Sequence, residues 1–189
     1  PLSRGQKFHF LTGWFSWFAD ALHLVFTMMA IAWTIGMVGW PKYFSLPMEL
    51  FLIPIIGFFV SKAVFGIVLY RKRVPCSWHD TIMASIASMG LSHAIARGIF
   101  LGLWKKKGEF VRTAKSRRLS SKPSAFASVR EELLMFLALL ACIFGMINSN
   151  AITYTEGKLW IGILAAQAIP YASALIGAWV AHQSNEAMA

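Results

Sequence analysis

Charged residues are scarce in this chain. They make up 14% of its 189 residues, whereas an ordinary soluble domain carries about 25%. Acidic residues are the scarcer kind, because 8 Asp and Glu stand against 18 Lys and Arg and leave a net charge of +10. Hydrophobic residues account for 57% of the sequence. This balance excludes a disordered chain, a disulfide-rich secreted scaffold and an ordinary soluble enzyme, and it predicts a membrane protein.

Cysteine is also rare, with one residue in a basic polar segment (Cys76) and one in an apolar run (Cys142). Two cysteines in such different surroundings predict two unpaired thiols. The excess of Lys and Arg would suggest nucleic acid as the partner of a soluble protein. In a membrane protein it indicates cytoplasmic loops and contact with anionic lipid headgroups, so we expect the lipid bilayer as a partner and no nucleic acid.

Motifs for catalysis or metal binding are lacking in this sequence, which has no nucleophile elbow, phosphate-binding glycine loop, Cys-x-x-Cys or His-Glu-x-x-His. The adjacent acids Glu131 and Glu132 begin a predicted helix, where the helix dipole favours negative charge. The five histidines form no pair three or four residues apart. Asp20 and His23 are predicted to form a local pair, and a haem or pigment held by His23 and His182 is kept as an alternative.

Four segments are long and apolar enough to cross a bilayer, for which a helix needs about 20 residues. Pro170 predicts a kink in the last of them. The fold class expected is an all-α polytopic membrane protein, with four transmembrane helices and one interfacial amphipathic helix on the cytoplasmic side. The predicted spans are residues 17–40, 48–70, 133–148 and 159–182. The third reaches span length only if Arg130, Glu131 and Glu132 lie at the headgroups.

A fifth apolar stretch, residues 81–104, is the one predicted to lie at the membrane surface. If it crossed, the basic residues before and after it would lie on opposite sides, contrary to the positive-inside rule. At the surface, it leaves the 13 basic residues between Arg71 and Arg130 on the cytoplasmic side, where Arg4 and Lys7 join them. Its small polar residues also recur on one helical face. The alternative is a fifth span whose small residues form a packing face. The polar stripe consists of Thr81, Ser85, Ser88 and Ser92, and it is widened by His93 and Arg97, which are four residues apart.

The resulting organisation has both termini in the cytoplasm. A cytoplasmic interfacial entry segment (1–16) leads into a transmembrane hairpin (17–70), and a basic turn with the interfacial helix follows (71–104). A cytoplasmic loop (105–128), a second transmembrane hairpin (129–182) and a cytoplasmic tail (183–189) complete the chain.

Aromatic residues are abundant, and six of the eight tryptophans fall near predicted membrane boundaries. The ordinary explanation is the aromatic belt of membrane proteins. The alternative is stacking against the apolar face of a sugar, and the best candidates for glycan stacking are Trp14, Trp17 and Phe18 at the entrance of the first helix. The six boundary tryptophans are Trp14, Trp17, Trp40, Trp78, Trp104 and Trp160.

Two stretches of the sequence resemble the processive family-2 glycosyltransferases. The run LSRGQKFHFLTGWFSW at residues 2–17 is similar to the segment that follows the catalytic domain in bacterial β-glucan synthases, in the cellulose-synthase-like and cyclic β-glucan synthase branch. A second run resembles the gating loop of cellulose synthase, Phe-x-Val-Thr-x-Lys, with Arg112 in place of Val. That run is Phe110-Val111-Arg112-Thr113-Ala114-Lys115.

The resemblance covers the membrane half of such an enzyme. The family's catalytic aspartates, its general base and Gln-x-x-Arg-Trp are absent, so the chain is expected to be no competent enzyme alone. The missing catalytic domain would hold a divalent metal such as Mg; no cofactor or metal is expected in this chain. The implied function is the membrane channel of a β-glycan synthase, β-glucan above all, in the bacterial inner membrane.

The resemblance also implies partners and a binding loop. The partners are a nucleotide sugar, the growing glycan and the chain's own catalytic domain. Arg112 and Lys115 would bind the nucleotide diphosphate, Thr113 would donate a hydrogen bond, and Phe110 would insert apolar surface. Two alternatives stay open. The basic run could simply bind anionic lipid, or the chain could be a non-catalytic accessory subunit of a larger complex. Small-residue faces favour the latter: Ala30, Ala32 and Gly36; Gly162, Ala165 and Ala166; Gly177 and Ala181.

Overall fold

Every regular element in the part of the chain that the structure describes is helical. The structure is a computed structural model, and it describes residues 2–47, 52–53, 56–57, 60, 64, 67–68, 70–104, 125–149 and 153–186. Four helices in these ranges are long and apolar enough to cross a membrane. The predicted all-α polytopic membrane protein is thereby confirmed.

The first helix, α1, runs from Arg4 to Gly39 and begins with a capping box. The Ser3 hydroxyl accepts the Gln6 backbone N–H, and the Gln6 side chain accepts the Ser3 backbone N–H, so two helix-end donors are satisfied. At 36 residues α1 is about 54 Å long, well beyond the roughly 30 Å of hydrocarbon. The predicted entry segment and the predicted first span are therefore one continuous helix.

The end of α1 folds back on itself through a short turn at residues 41–43. The Phe44 ring meets the Trp33 ring edge-on at 5.1 Å, and the Trp33 indole N–H donates to the Ser45 carbonyl at 3.3 Å. Gly36 makes this fold possible, because a Cβ there would come within 2.8 Å of the Phe44 ring. The described residues between 52 and 73 are helical and include part of the predicted second span.

Two helices follow, separated only by Leu91: α2, Trp78–Gly90, and α3, Ser92–Trp104. A second capping box, between Ser77 and Asp80, begins α2. Together they form a 27-residue stretch that meets the length and composition of a span. Its predicted interfacial position therefore stays a prediction.

The last two helices are α4, Arg130–Asn148, and α5, Thr155–Glu186, and a 3₁₀ helix, Ala125–Val129, precedes α4. Helix α5 continues through Pro170, where a kink is predicted. Helix α4 packs along α5, α3 packs on α1, and α2 packs on α5. The apolar core lies mainly between α1, α4 and α5. Its largest fully buried side chains include Leu139, Met146, Ile163, Leu164 and Tyr171.

Two features of the interior were not predicted by the sequence. Trp160, placed near a membrane boundary by the sequence, is 5% exposed, and its indole N–H donates to the Thr34 hydroxyl at 2.9 Å. The polar stripe of residues 81–92 is partly a packing face, because Thr81 and Ser92 are buried within the protein. The hydroxyl of Thr81 donates to a carbonyl one turn earlier, so its burial leaves no donor unsatisfied. The two thiols, Cys76 and Cys142, are unpaired as predicted.

Candidate functional site

Polar side chains from four helices meet at one place in the assembly. We refer to this place as the polar junction. Asp20 follows the first run of the resemblance by three residues, and the other members lie outside both runs. Contacts between residues distant in sequence create the junction. Its members are Asp20 of α1, Ser92, His93 and Arg97 of α3, Glu131 of α4, and Tyr171 of α5.

Helix α3 is fixed to α1 at its first residue. The Ser92 hydroxyl donates to the Asp20 carboxylate, and Ser92 is only 8% exposed. Next to this contact, Ala96 is completely buried, which fits the close packing of α3 on α1. An acid in a predicted span is a functional candidate because it is costly in a membrane, and here its partner is a hydroxyl of another helix. The sequence placed His23 beside Asp20; the structure adds Ser92 as a partner.

The same helix is fixed to α4 through Glu131. One carboxylate oxygen lies 2.9 Å from the Arg97 guanidinium, and the other lies 3.2 Å from the His93 Nε2. The side chains become progressively more exposed from His93 (11%) through Glu131 (38%) to Arg97 (60%). Both oxygens of Glu131 therefore have a partner on α3. Two residues four apart on one helix suit such a bridge because they lie on the same face.

Tyr171 closes the junction from the side of α5. Its ring, 2% exposed, lies 6.0 Å from the His93 ring and 6.3 Å from the His23 ring. The neighbour of the His23 ring on α5 is thus the Tyr171 ring. His182 is exposed and follows Tyr171 by three helical turns, about 16 Å along α5. The arrangement does not favour the alternative of a haem or pigment shared by His23 and His182.

A groove of about 510 Å³ borders the junction, between α1, α3 and α4. His93 and Glu131 are its polar members, and the rest of its lining is apolar, including Met28, Phe100 and Leu134. Sugars need hydrogen-bonding groups along with aromatic faces. This groove is therefore a poor match for a glycan.

The predicted site residues are only partly described. The loop residues Phe110, Arg112, Thr113 and Lys115 lie outside the described residues, as does the side chain of Trp14. Trp17 is 56% exposed, and Phe18 is half-buried on the same helix. Within the described ranges, no group of three or more His, Cys, Asp or Glu side chains is arranged to hold a metal ion.

Sequence reasoning missed the junction although it named several of its members. Glu131 was explained by the helix dipole, and the structure does place it in the first turn of α4. His93 and Arg97 were noted only as widening the polar stripe. The available signal was their spacing of four residues. It places both side chains on one helical face, where a single carboxylate can bind both of them. Which acid would meet that face depends on tertiary packing.

Comparison with known proteins adds no relative. No protein-family model matches the chain, and neither the curated proteins nor the solved structures contain a significant match.

Proposed function

We propose that this chain is the membrane-channel part of a processive family-2 glycosyltransferase. The enzyme would polymerise a sugar from a nucleotide-sugar donor, UDP-glucose or a similar one, into a β-glycan and export the product across the bacterial inner membrane. A catalytic domain outside this chain would hold the nucleotide and a divalent ion such as Mg. The observation that carries the proposal is the position of the run Phe110–Lys115.

That run lies between two structural elements that the resemblance implies on either side of it. The helices α2 and α3 precede it, and the span-length helix α4 follows it. In the synthases that the sequence resembles, the corresponding loop lies between an interfacial helix and a span, and this chain would match that order if α2 and α3 lie at the membrane surface. The order of elements supports the proposal independently of the six residues themselves.

The charge of the run gives it a chemical role. Lys115 and Arg112 would make charge-assisted hydrogen bonds to a diphosphate, each worth about 1.5–3 kcal/mol. Eight of the chain's basic residues lie between 105 and 122, so an anion approaching from that side meets a positive potential. The same charge would also attract anionic lipid, which is the competing explanation that the experiment must separate.

The test uses the complete gene product in inverted membrane vesicles supplied with labelled UDP-glucose. Lys115→Ala should lower polymer synthesis about tenfold, since one charge-assisted contact of about 1.5 kcal/mol corresponds to that factor. The matched control is Lys122→Ala, which removes the same charge from the same stretch outside the resemblance. Equal synthesis by both variants, at equal membrane insertion, would leave lipid binding as the role of the loop.

A second candidate is a non-catalytic subunit of a larger membrane complex, and one observation favours it. Small residues on α5 stay uncovered by the described residues: Ala165 and Ala181 are exposed, and within those ranges a Cβ built at Gly162 or Gly177 meets nothing within 4 Å. Such faces allow close contact with another helix. Reading the gene upstream of Pro1 separates the two candidates, because a synthase requires a catalytic domain with its acidic motifs there.

A further inference from the structure

The two ends of the 105–124 stretch are joined by the polar junction. Helix α3 leads into this stretch and carries His93 and Arg97. Helix α4 follows it after one short 3₁₀ helix and carries Glu131 in its first turn. The hydrogen bonds of Glu131 therefore connect the helix that enters the stretch to the helix that leaves it.

We propose that Glu131 is a positioning residue that fixes the spacing and relative orientation of these two ends. Its two oxygens bind different partners, at 2.9 Å to Arg97 and 3.2 Å to His93, so the carboxylate cannot pivot without breaking one contact. His93 is held in turn by burial and by the Tyr171 ring 6.0 Å away. Glu131 thus connects the exposed Arg97 to a buried and rigid part of the bundle.

A second contact attaches α3 to a different helix. Ser92, next to His93, donates to Asp20 of α1, so the start of α3 is attached to α1 while one turn later it is attached to α4. Two attachments to two different helices fix both the position of α3 and its rotation about its own axis. Loss of the Glu131 attachment leaves α3 packed on α1 but without its side-chain bonds to α4.

The inference deepens the proposed function and rests on it, because the spacing of the ends would determine how Arg112 and Lys115 are presented to the nucleotide. A wider range of spacings reduces the fraction of molecules in the binding-competent arrangement. The apparent affinity for the nucleotide sugar then falls in proportion to that fraction. Glu131 touches no substrate in this account; it acts through the two basic residues. We expect Glu131→Gln to raise KM for the nucleotide sugar about fivefold and to change kcat less than twofold.

The spacing is measured directly by electron–electron double resonance in the complete protein. Spin labels replace Trp104 (88% exposed) and Leu133 (40% exposed), with all other cysteines removed. The parent should give one narrow distance distribution, and Glu131→Gln should broaden it. The charge swap, Arg97→Glu combined with Glu131→Arg, should narrow the distance distribution again. A neutral His93 ring can accept a hydrogen bond from the introduced guanidinium. The control, Glu156→Gln in the first turn of α5, should leave the distribution unchanged.

Each outcome decides the matter. An unchanged distribution in Glu131→Gln, or a swap that stays as broad as the single variant, overturns the positioning role. A broadened distribution with KM unchanged in a working synthase overturns it as well, because the spacing would then not matter to the reaction. If the parent protein makes no polymer, the proposed function fails, and the distance distributions alone decide whether Glu131 fixes the spacing.

Discussion

Replacement of Gly90 by leucine should separate two helices that pack without room for a side chain. A Cβ at Gly90 would lie 3.2 Å from the Ala174 Cα and backbone nitrogen and 3.3 Å from the Ser173 carbonyl carbon. Optimal contacts between carbon atoms are about 3.5–4.0 Å. The atoms in the way belong to the backbone of α5, so no side-chain rotation relieves the clash. Helices α2 and α5 must move apart.

The matched control is Gly98→Leu. Gly98 lies in the neighbouring helix α3, and a Cβ there meets nothing within 4 Å. Both substitutions replace glycine by a better helix former. The gain is about 0.8–1.0 kcal/mol in a helix interior, where Gly98 lies, and smaller at Gly90, the last residue of α2, so it can only widen the difference between the two variants. The main cost at Gly90 is overpacking, typically about 1–3 kcal/mol. We therefore expect Gly90→Leu to be about 2 kcal/mol less stable than Gly98→Leu.

The assay is thermal unfolding of the purified chain in one detergent, followed by tryptophan fluorescence. For a chain of roughly 150–250 residues, 2 kcal/mol corresponds to a Tm difference of about 4–8 °C. Gly98→Leu should melt at or slightly above the parent, and Gly90→Leu clearly below it. If Gly90→Leu melts at or above Gly98→Leu, the close approach of α2 to α5 is wrong.

Three further predictions concern the core and the thiols. A double-mutant cycle with Trp160→Phe and Thr34→Val should show a coupling of about 1 kcal/mol in the free energy of unfolding, because that is the usual net value of a hydrogen bond. Additive effects of the two substitutions would contradict that bond. In intact detergent-solubilised protein, Cys76 should react with maleimide well before the buried Cys142, and equal rates would refute the burial. In sealed vesicles, a membrane-impermeant maleimide should label Cys76 and a cysteine introduced at Ser120 from the same side; labelling from opposite sides would contradict the topology.

The long hydrophobic runs of the sequence predicted the helical membrane architecture correctly. A spanning helix needs about 20 apolar residues, and that requirement can be read locally without knowledge of any neighbour. The structure confirms an all-α polytopic membrane protein on these grounds. The helix boundaries were less accurate: α1 begins at Arg4, because the Ser3–Gln6 capping box starts a helix before the hydrophobic run does.

Features that depend on distant contacts were not predictable in the same way. Trp160 carries the residue type and approximate depth of an aromatic belt, yet it is buried against Thr34, 126 residues earlier. Glu131 and His93 are 38 residues apart, and the long basic stretch lies between them. Periodicity shows which face of a helix is polar but not which other helix will cover that face. The polar junction is made entirely of such pairings.

The polar junction bears on the depth of α2 and α3 in the membrane. Ser92 lies near the middle of the stretch Trp78–Trp104, while Glu131, bonded to the adjacent His93, is the second residue of α4. If that stretch crossed the bilayer, its middle and therefore Glu131 would lie near the midplane, and α4 would extend far outside. With Glu131 at the headgroups instead, the 19 residues of α4 cover about 28 Å and match the hydrocarbon thickness. The middle of the α2–α3 stretch then lies at the membrane surface, as the predicted interfacial position requires.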